Sequence, residues 1–143
     1  MSASENGLLG QRRIINLEGA KRMVEAAEQE AARNGWNVAI AIVDGGGELI
    51  LLHRRDGTQL ASVSIAAGKA RTAVRFKRPT KALEDAVAGG RTAMLAVEEI
   101  LPMEGGIPVL IDGEVAGAIG VSGVLSSQDA QVAQAGIDAL QTA

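Results

Sequence analysis

At 143 residues, 47% hydrophobic and a formal net charge of -3, the chain has the length of one globular domain that can bury roughly two thirds of its unfolded surface. With no cysteine and one histidine, it cannot form disulfides or thiolate metal sites, and it has too few imidazoles for a catalytic zinc. Trp36 and Phe76 are its only aromatic residues, so stacked-base recognition of nucleic acid has no platform, and no apolar run approaches the roughly 18 residues of a membrane span.

In chain order, residues 1–16 open with MSASENGLLGQRR, which lacks the apolar core of a secretory signal. They read as a mobile N-terminal segment of a cytoplasmic protein, with residues 17–143 as a single domain. Leu17, Ala20, Val24, Ala27 and Ala31 recur at steps of three and four, which predicts a first helix from Leu17 to Asn34 with an inward stripe. Asn16 is its N-cap, and Gly35 its stop. Val38 to Val43 and Glu48 to His53 are short, β-branched or leucine-rich runs joined by Asp44-Gly45-Gly46-Gly47, the pattern of a hairpin. On the returning strand, Leu49, Leu51, His53 and Arg55 share one face.

A second helix follows from about Leu60 to Phe76, with Leu60, Val63, Ala67, Ala70 and Val74 as its apolar stripe and Lys69 and Arg71 off it. Arg78-Pro79 ends it, and Thr80 caps a short helix through Val87 that Gly89-Gly90 terminates. Residues 91–101 read either as a helical turn or as an irregular connection. Two apolar runs, Ile107 to Ile111 and Val115 to Val121, flank Asp112-Gly113, a pair suited to a turn with positive φ at both centres. A last helix starts from a cap at Ser126 or Ser127 and runs to about Leu140, with Val132, Ala133, Ile137 and Leu140 inward. Two hairpins with helices before, between and after them predict an antiparallel sheet packed by helices, an α+β arrangement of the α/β class.

The chemical inventory narrows the function. Gly117, Gly120 and Gly123 are spaced G-x-x-G-x-x-G with two of them inside a strand, not the dinucleotide fingerprint. A Ser-His-Asp triad would have to use His53, which sits on a strand with no nucleophile elbow in view. His53 can serve as a single axial ligand to haem iron, or simply as a polar residue on an edge strand. Acid, base and anion chemistry remain. Lys69, Arg71, Arg75, Lys77, Arg78 and Lys81 fall in a stretch with no acid between Gly57 and Leu83. Glu104 precedes two glycines, and Asp56 follows Arg55 at a loop. A carboxylate, an ammonium and a guanidinium can orient a small carboxylic acid or the propionates of a tetrapyrrole. The same residues can equally be ion pairs that hold loops.

The segments NGWNVAIAIVDGGGELILLHRRDG, IAAGKARTAV, RPTKALEDAVAGGRTA and MEGGIPVLIDGEVAGAIGVSGVLSSQDAQVAQAG resemble the GlcG/HbpS-like family, which includes the C-terminal domain of PduO-type proteins. The resemblance spans about Leu17 to Leu140. It implies a profilin-like fold with a sheet of about four to five antiparallel strands between helices, and a homo-oligomer. It also implies binding of haem or another tetrapyrrole, or of a small organic carboxylate; composition, charge and hydropathy separately predict no protein-chelated metal and neither nucleic acid nor membrane as partner. Carried over by motif, the ligand-binding positions are Arg55, Asp56, Lys69, Thr72, Thr80, Gly105 and Gly106, and the residue reading adds Arg71. The alternatives are an enzyme of small-molecule catabolism, with Glu104 moving a proton and Lys69 or Arg71 holding an oxo-acid or enamine, or an accessory subunit without its own ligand. His53 stands where the GlcG-like relatives are expected to lack histidine, so no haem-ligand role passes to it by resemblance.

Overall fold

A computed structural model describes residues 7–141; residues 1–6 and 142–143 lie outside the described residues. Helix α1 spans Leu17–Asn34, the bounds its capping residues predict. The Asn16 side-chain oxygen accepts from the Gly19 amide at 2.8 Å, and Gly35, at φ 70°, donates back to Ala31 and Ala32. Its buried stripe is Ala20, Met23, Val24, Ala27 and Ala31. Leu17, expected inward, is half exposed in the first turn, and Met23 completes the stripe instead.

Strands β1 (Ala39–Asp44) and β2 (Leu49–Arg54) form the first hairpin. The Asp44 carboxylate accepts from the amides of Gly46 and Glu48, and so closes the turn that the glycines permit. Helices α2 (Ala61–Phe76) and α3 (Thr80–Ala88) and a short 3-10 turn (Thr92–Ala96) lead to strands β3 (Gly106–Ile111) and β4 (Glu114–Ser122), and α4 (Ser126–Gln141) ends the chain. The β3–β4 turn has φ 52° at Asp112 and 80° at Gly113, the doubly left-handed turn that matches the twist of a hairpin.

The four strands are all antiparallel, in the order β2-β1-β4-β3. This is an α+β, profilin-like sheet with helices on both faces. On one face Ile40, Ile42, Ile119 and Val121 pack against Met23 and Val24 of α1 and Val132 and Ile137 of α4. On the other, α2 lies on a sheet surface of small residues, Ala39, Ala41 and Ala118, with Ala66, Ala70 and Ala73 turned toward it. The approach is close: a Cβ on Gly120 would come 2.1 Å from the Ala66 carbonyl oxygen.

That close approach rotates α2 away from the expected stripe. A surface of alanine and glycine admits small side chains, so Ser62, Ala66, Ala70 and Ala73 turn inward while Leu60 is 76% exposed. Lys69, expected off the buried face, is fully buried. Thr80 is the first residue of α3 rather than its cap; Pro79 precedes it with no capping side chain.

Residues before α1 also pack against the sheet. Ile15 is buried in the core and its amide donates to the Ala116 carbonyl at 3.1 Å, and the Arg13 amide donates to the Glu114 carboxylate at 2.7 Å. Among the described residues, no helix is long and apolar enough to cross a membrane.

Candidate functional site

Six of the residues singled out from sequence meet where β3 begins. Lys69 leaves α2, passes Gly105 and reaches α4 on the far face of the sheet, where its Nζ lies 3.1 Å from the Asp129 Oδ2. The same ammonium donates to the Val121 carbonyl at 3.0 Å, while the other Asp129 oxygen accepts from the Val124 amide. Both side chains are buried. Burial pushes the Asp129 carboxyl above its ordinary range, against the opposing pull of Lys69.

The two glycines of the Glu-Gly-Gly stretch make this crossing sterically feasible. A Cβ on Gly105, at φ 132°, would stand 2.8 Å from the Lys69 Nζ, and one on Gly106 would stand 2.4 Å from the Lys69 carbonyl oxygen, distances no side chain tolerates. The threonines hold the strand entry in place. The Thr80 hydroxyl accepts from the Gly106 amide at 2.9 Å. That of Thr72 donates to the Gly68 carbonyl and accepts from the Leu101 amide. Glu104 is half-buried at the rim, its amide donating to Glu84. Lys69, Gly105-Gly106 and Thr80 are thus linked by hydrogen bonds through Val121, Thr72 ties α2 to the connection before β3 at Leu101, and Glu104 lies at the rim.

The remaining residues lie elsewhere. Arg71, two positions from Lys69 and therefore on another side of the helix, donates from its Nε to the Gly47 carbonyl in the β1–β2 turn. The two cations do not line one pocket. Arg55 and Asp56 lie across the width of the sheet, just past the end of the edge strand β2. There the Arg55 amide extends the pairing by donating to the Val38 carbonyl, and the Thr58 amide donates to the Arg55 carbonyl to close a turn.

This turn has an unfilled requirement. Among the described residues, the Arg55 Nε and the Thr58 Oγ1 are the buried side-chain polar atoms with no hydrogen-bond partner. Leaving such a group unpaired costs about 1 to 3 kcal/mol, so the position calls for a further partner. The turn leads into α2, whose first turn carries no acid and whose cap position makes no side-chain hydrogen bond. Asp56 is exposed beside it. Two residues before Arg55 on β2, the His53 Nδ1 lies 2.5 Å from the Glu28 Oε1 of α1.

A cavity of about 410 Å³ opens at the opposite end of the sheet, lined by Arg12, Ile14, Ile15, Asp44, Glu48 and Ile50 among others. It exists because residues 11–15 are pinned along the sheet. Sequence reading missed it, along with Thr58, Glu28 and the role of Asp129. Asp129 lies within the last of the family-like segments, but its partner Lys69 lies 60 positions away, beyond any local pattern.

A family model described as "Haem degrading protein HbpS-like" matches residues 15–138. Protein GlcG of Escherichia coli is 42% identical over 109 residues, 76% of this chain and 81% of that protein. The crystal structure of a double mutant of Streptomyces reticuli HbpS superposes with a TM-score of 0.86 at 33% identity, covering 96% of this chain and 94% of that one. A crystal structure of a PduOC:heme complex superposes with a TM-score of 0.80 at 30% identity over 88% of this chain and 94% of that one. The motifs, the four-stranded sheet between helices and these matches agree: the chain belongs to the HbpS-like family.

Proposed function

We propose that this protein binds a small amphipathic ligand bearing carboxylates, with haem or another tetrapyrrole first among them, and that it does so as a homo-oligomer. The observation that carries this reading is the Arg55–Thr58 turn, with a guanidinium Nε and a hydroxyl both buried and unpartnered. A carboxylate or propionate on the Arg55 guanidinium would form a charge-assisted hydrogen bond, the strong kind. The haem complex of the related PduOC chain supports the choice of ligand.

The donor set bears on haem directly. The chain has neither cysteine nor tyrosine, and the cavity beside Arg12 is lined by neither histidine nor methionine. His53 on β2 would supply an imidazole donor, alongside the thioethers of Met94 and Met103, and Arg55 would pair with a propionate. Exposed leucines at Leu60, Leu95 and Leu125 support assembly with further copies. An acid/base reading centred on Glu104 has less behind it, because the ammonium it would use to hold a substrate carboxylate is already paired with Asp129. The test is a haem titration followed in the Soret region: saturable binding supports the reading, and a spectrum that stays that of free haem contradicts it.

A further inference from the structure

We propose that the cavity beside Arg12 is a second binding site, independent of the tetrapyrrole reading above, and that it takes a small zwitterion with an apolar body, an aliphatic α-amino acid. The cavity, of about 410 Å³, lies between the segment ahead of α1 and the β1–β2 hairpin. Small-molecule sites run from about 300 to 1,000 Å³, so this one stands at the small end of the range. Its walls are held on both sides. Ile15 is buried, and its amide donates to the Ala116 carbonyl at 3.1 Å; it fits there because Gly117 has no side chain, a Cβ at that position coming 2.6 Å from the Ile15 Cδ1. On the hairpin, the Asp44 Oδ1 accepts from the amides of Gly46 and Glu48 at 2.8 and 3.0 Å. Glu48 and Ile50, two residues apart on an extended chain and so on one face, both line the cavity.

The charges decide the ligand. Arg12 and Arg13 are neighbours, yet they point apart. Arg13 pairs with Asp112 at 3.0 Å, whereas the Arg12 guanidinium lies on the backbone of Gly45. A Cβ on Gly45 would stand 2.8 Å from the Arg12 Cζ and closer still to its Nη2, so the guanidinium occupies the space that a side chain would fill. Among the described residues Arg12 makes no hydrogen bond or ion pair, and the Glu48 carboxylate has no partner either. A cation and two carboxylates thus face one cavity without closing on each other. A simple anion entering it meets Asp44 and Glu48, and a simple cation meets Arg12. A molecule with both charges satisfies both, its carboxylate accepting from Arg12 in a charge-assisted hydrogen bond and its ammonium donating to Glu48. Ile14, Ile15 and Ile50 line the rest. Ile14 is 64% exposed, apolar surface that an aliphatic side chain would remove from water.

The experiment titrates the protein with L-leucine, by calorimetry and by amide NMR shifts, beside two molecules that each lack one of its charges: 4-methylpentanoate, without the ammonium, and 3-methylbutylamine, without the carboxylate. Leucine is expected to saturate with a Kd of about 1 mM or tighter, and to shift amides within residues 12–15 and 44–50, which border the cavity. It should bind about tenfold or more tightly than either truncated molecule, the factor that one charged hydrogen bond contributes. Arg12→Met and Glu48→Gln, verified as folded by circular dichroism, should each weaken leucine binding by a similar factor. Leucine that does not saturate, a truncated molecule that binds as tightly as leucine, or an Arg12→Met variant that titrates like its parent overturns the assignment. Each of these results leaves the haem titration, and the reading it tests, untouched.

Discussion

Lys69 and Asp129 join helices on opposite faces of the sheet through a buried ion pair of 3.1 Å. The pair ties α2 to α4 at the one place where two consecutive glycines clear a path past the strand entry. A buried pair contributes little over a well-packed apolar pair, but breaking it strands a charge. Lys69→Met is therefore expected to lower stability by about 3 to 5 kcal/mol, and Lys69→Met with Asp129→Leu to recover much of that loss. Urea unfolding of the two variants checks this. A loss for the single variant within the roughly 0 to 1 kcal/mol of surface pairs would contradict it.

Two glycine substitutions separate conformational strain from steric exclusion. Gly113, at φ 80°, has open space around a would-be Cβ, whereas Gly120 would meet the Ala66 carbonyl at 2.1 Å. Gly113→Val should cost roughly 1 to 3 kcal/mol through backbone strain alone. Gly120→Ala adds a single methyl yet should cost more, because α2 must lift from the sheet. Thermal melts that rank the two in the opposite order would contradict this packing.

Glu30 gives the fold a pH dependence with a defined sign. A hydrogen bond from Gln131 of α4, with Arg33 beside it, holds the Glu30 carboxyl below its ordinary value near 4.5. The folded state therefore favours the ionised form. The resulting stabilisation is fully present above that ordinary value and is lost as pH falls through the lower folded value. Glu30→Gln should be less stable than the parent at neutral pH, and the gap should close on acidification. A gap that widens below about pH 4 would reverse the sign.

Local patterns in the sequence made much of the fold legible. Asn16 and Gly35 bound α1 because caps act within a few residues, and Asp112-Gly113 defined its turn because the pair is the turn. The orientation of α2 was not legible, since it depends on the small residues of strands far away in sequence. A periodic reading puts Leu60 inside and Lys69 outside, whereas the alanine and glycine surface beneath the helix reverses both. The site divided in the same way. The motif residues Lys69, Thr72, Thr80 and Gly105-Gly106 do converge, but Arg71 turns to Gly47 because two positions on a helix point apart. Thr58 carried no signal at all, because its distinguishing feature is a missing partner.

Assembly is open to a direct check. Leu60, Leu95 and Leu125 are each more than half exposed, and the edge strands β2 and β3 each leave one side unpaired in the sheet order. Unpaired edges and exposed leucines favour association with further copies. Light scattering at micromolar concentration should give a mass that is a multiple of 14.7 kDa. A mass equal to that of one chain would contradict oligomerisation.

The most direct test of the ligand-binding account is calorimetric titration of the wild type and Arg55→Met with ferric haem. The wild type should saturate, and Arg55→Met, which keeps the length of the side chain and removes its charge, should bind more weakly by about 1.5 to 3 kcal/mol, the range for a charged hydrogen bond. That corresponds to roughly ten- to over a hundredfold in affinity. A wild type that does not saturate, or an Arg55→Met variant that titrates like its parent, would contradict the account.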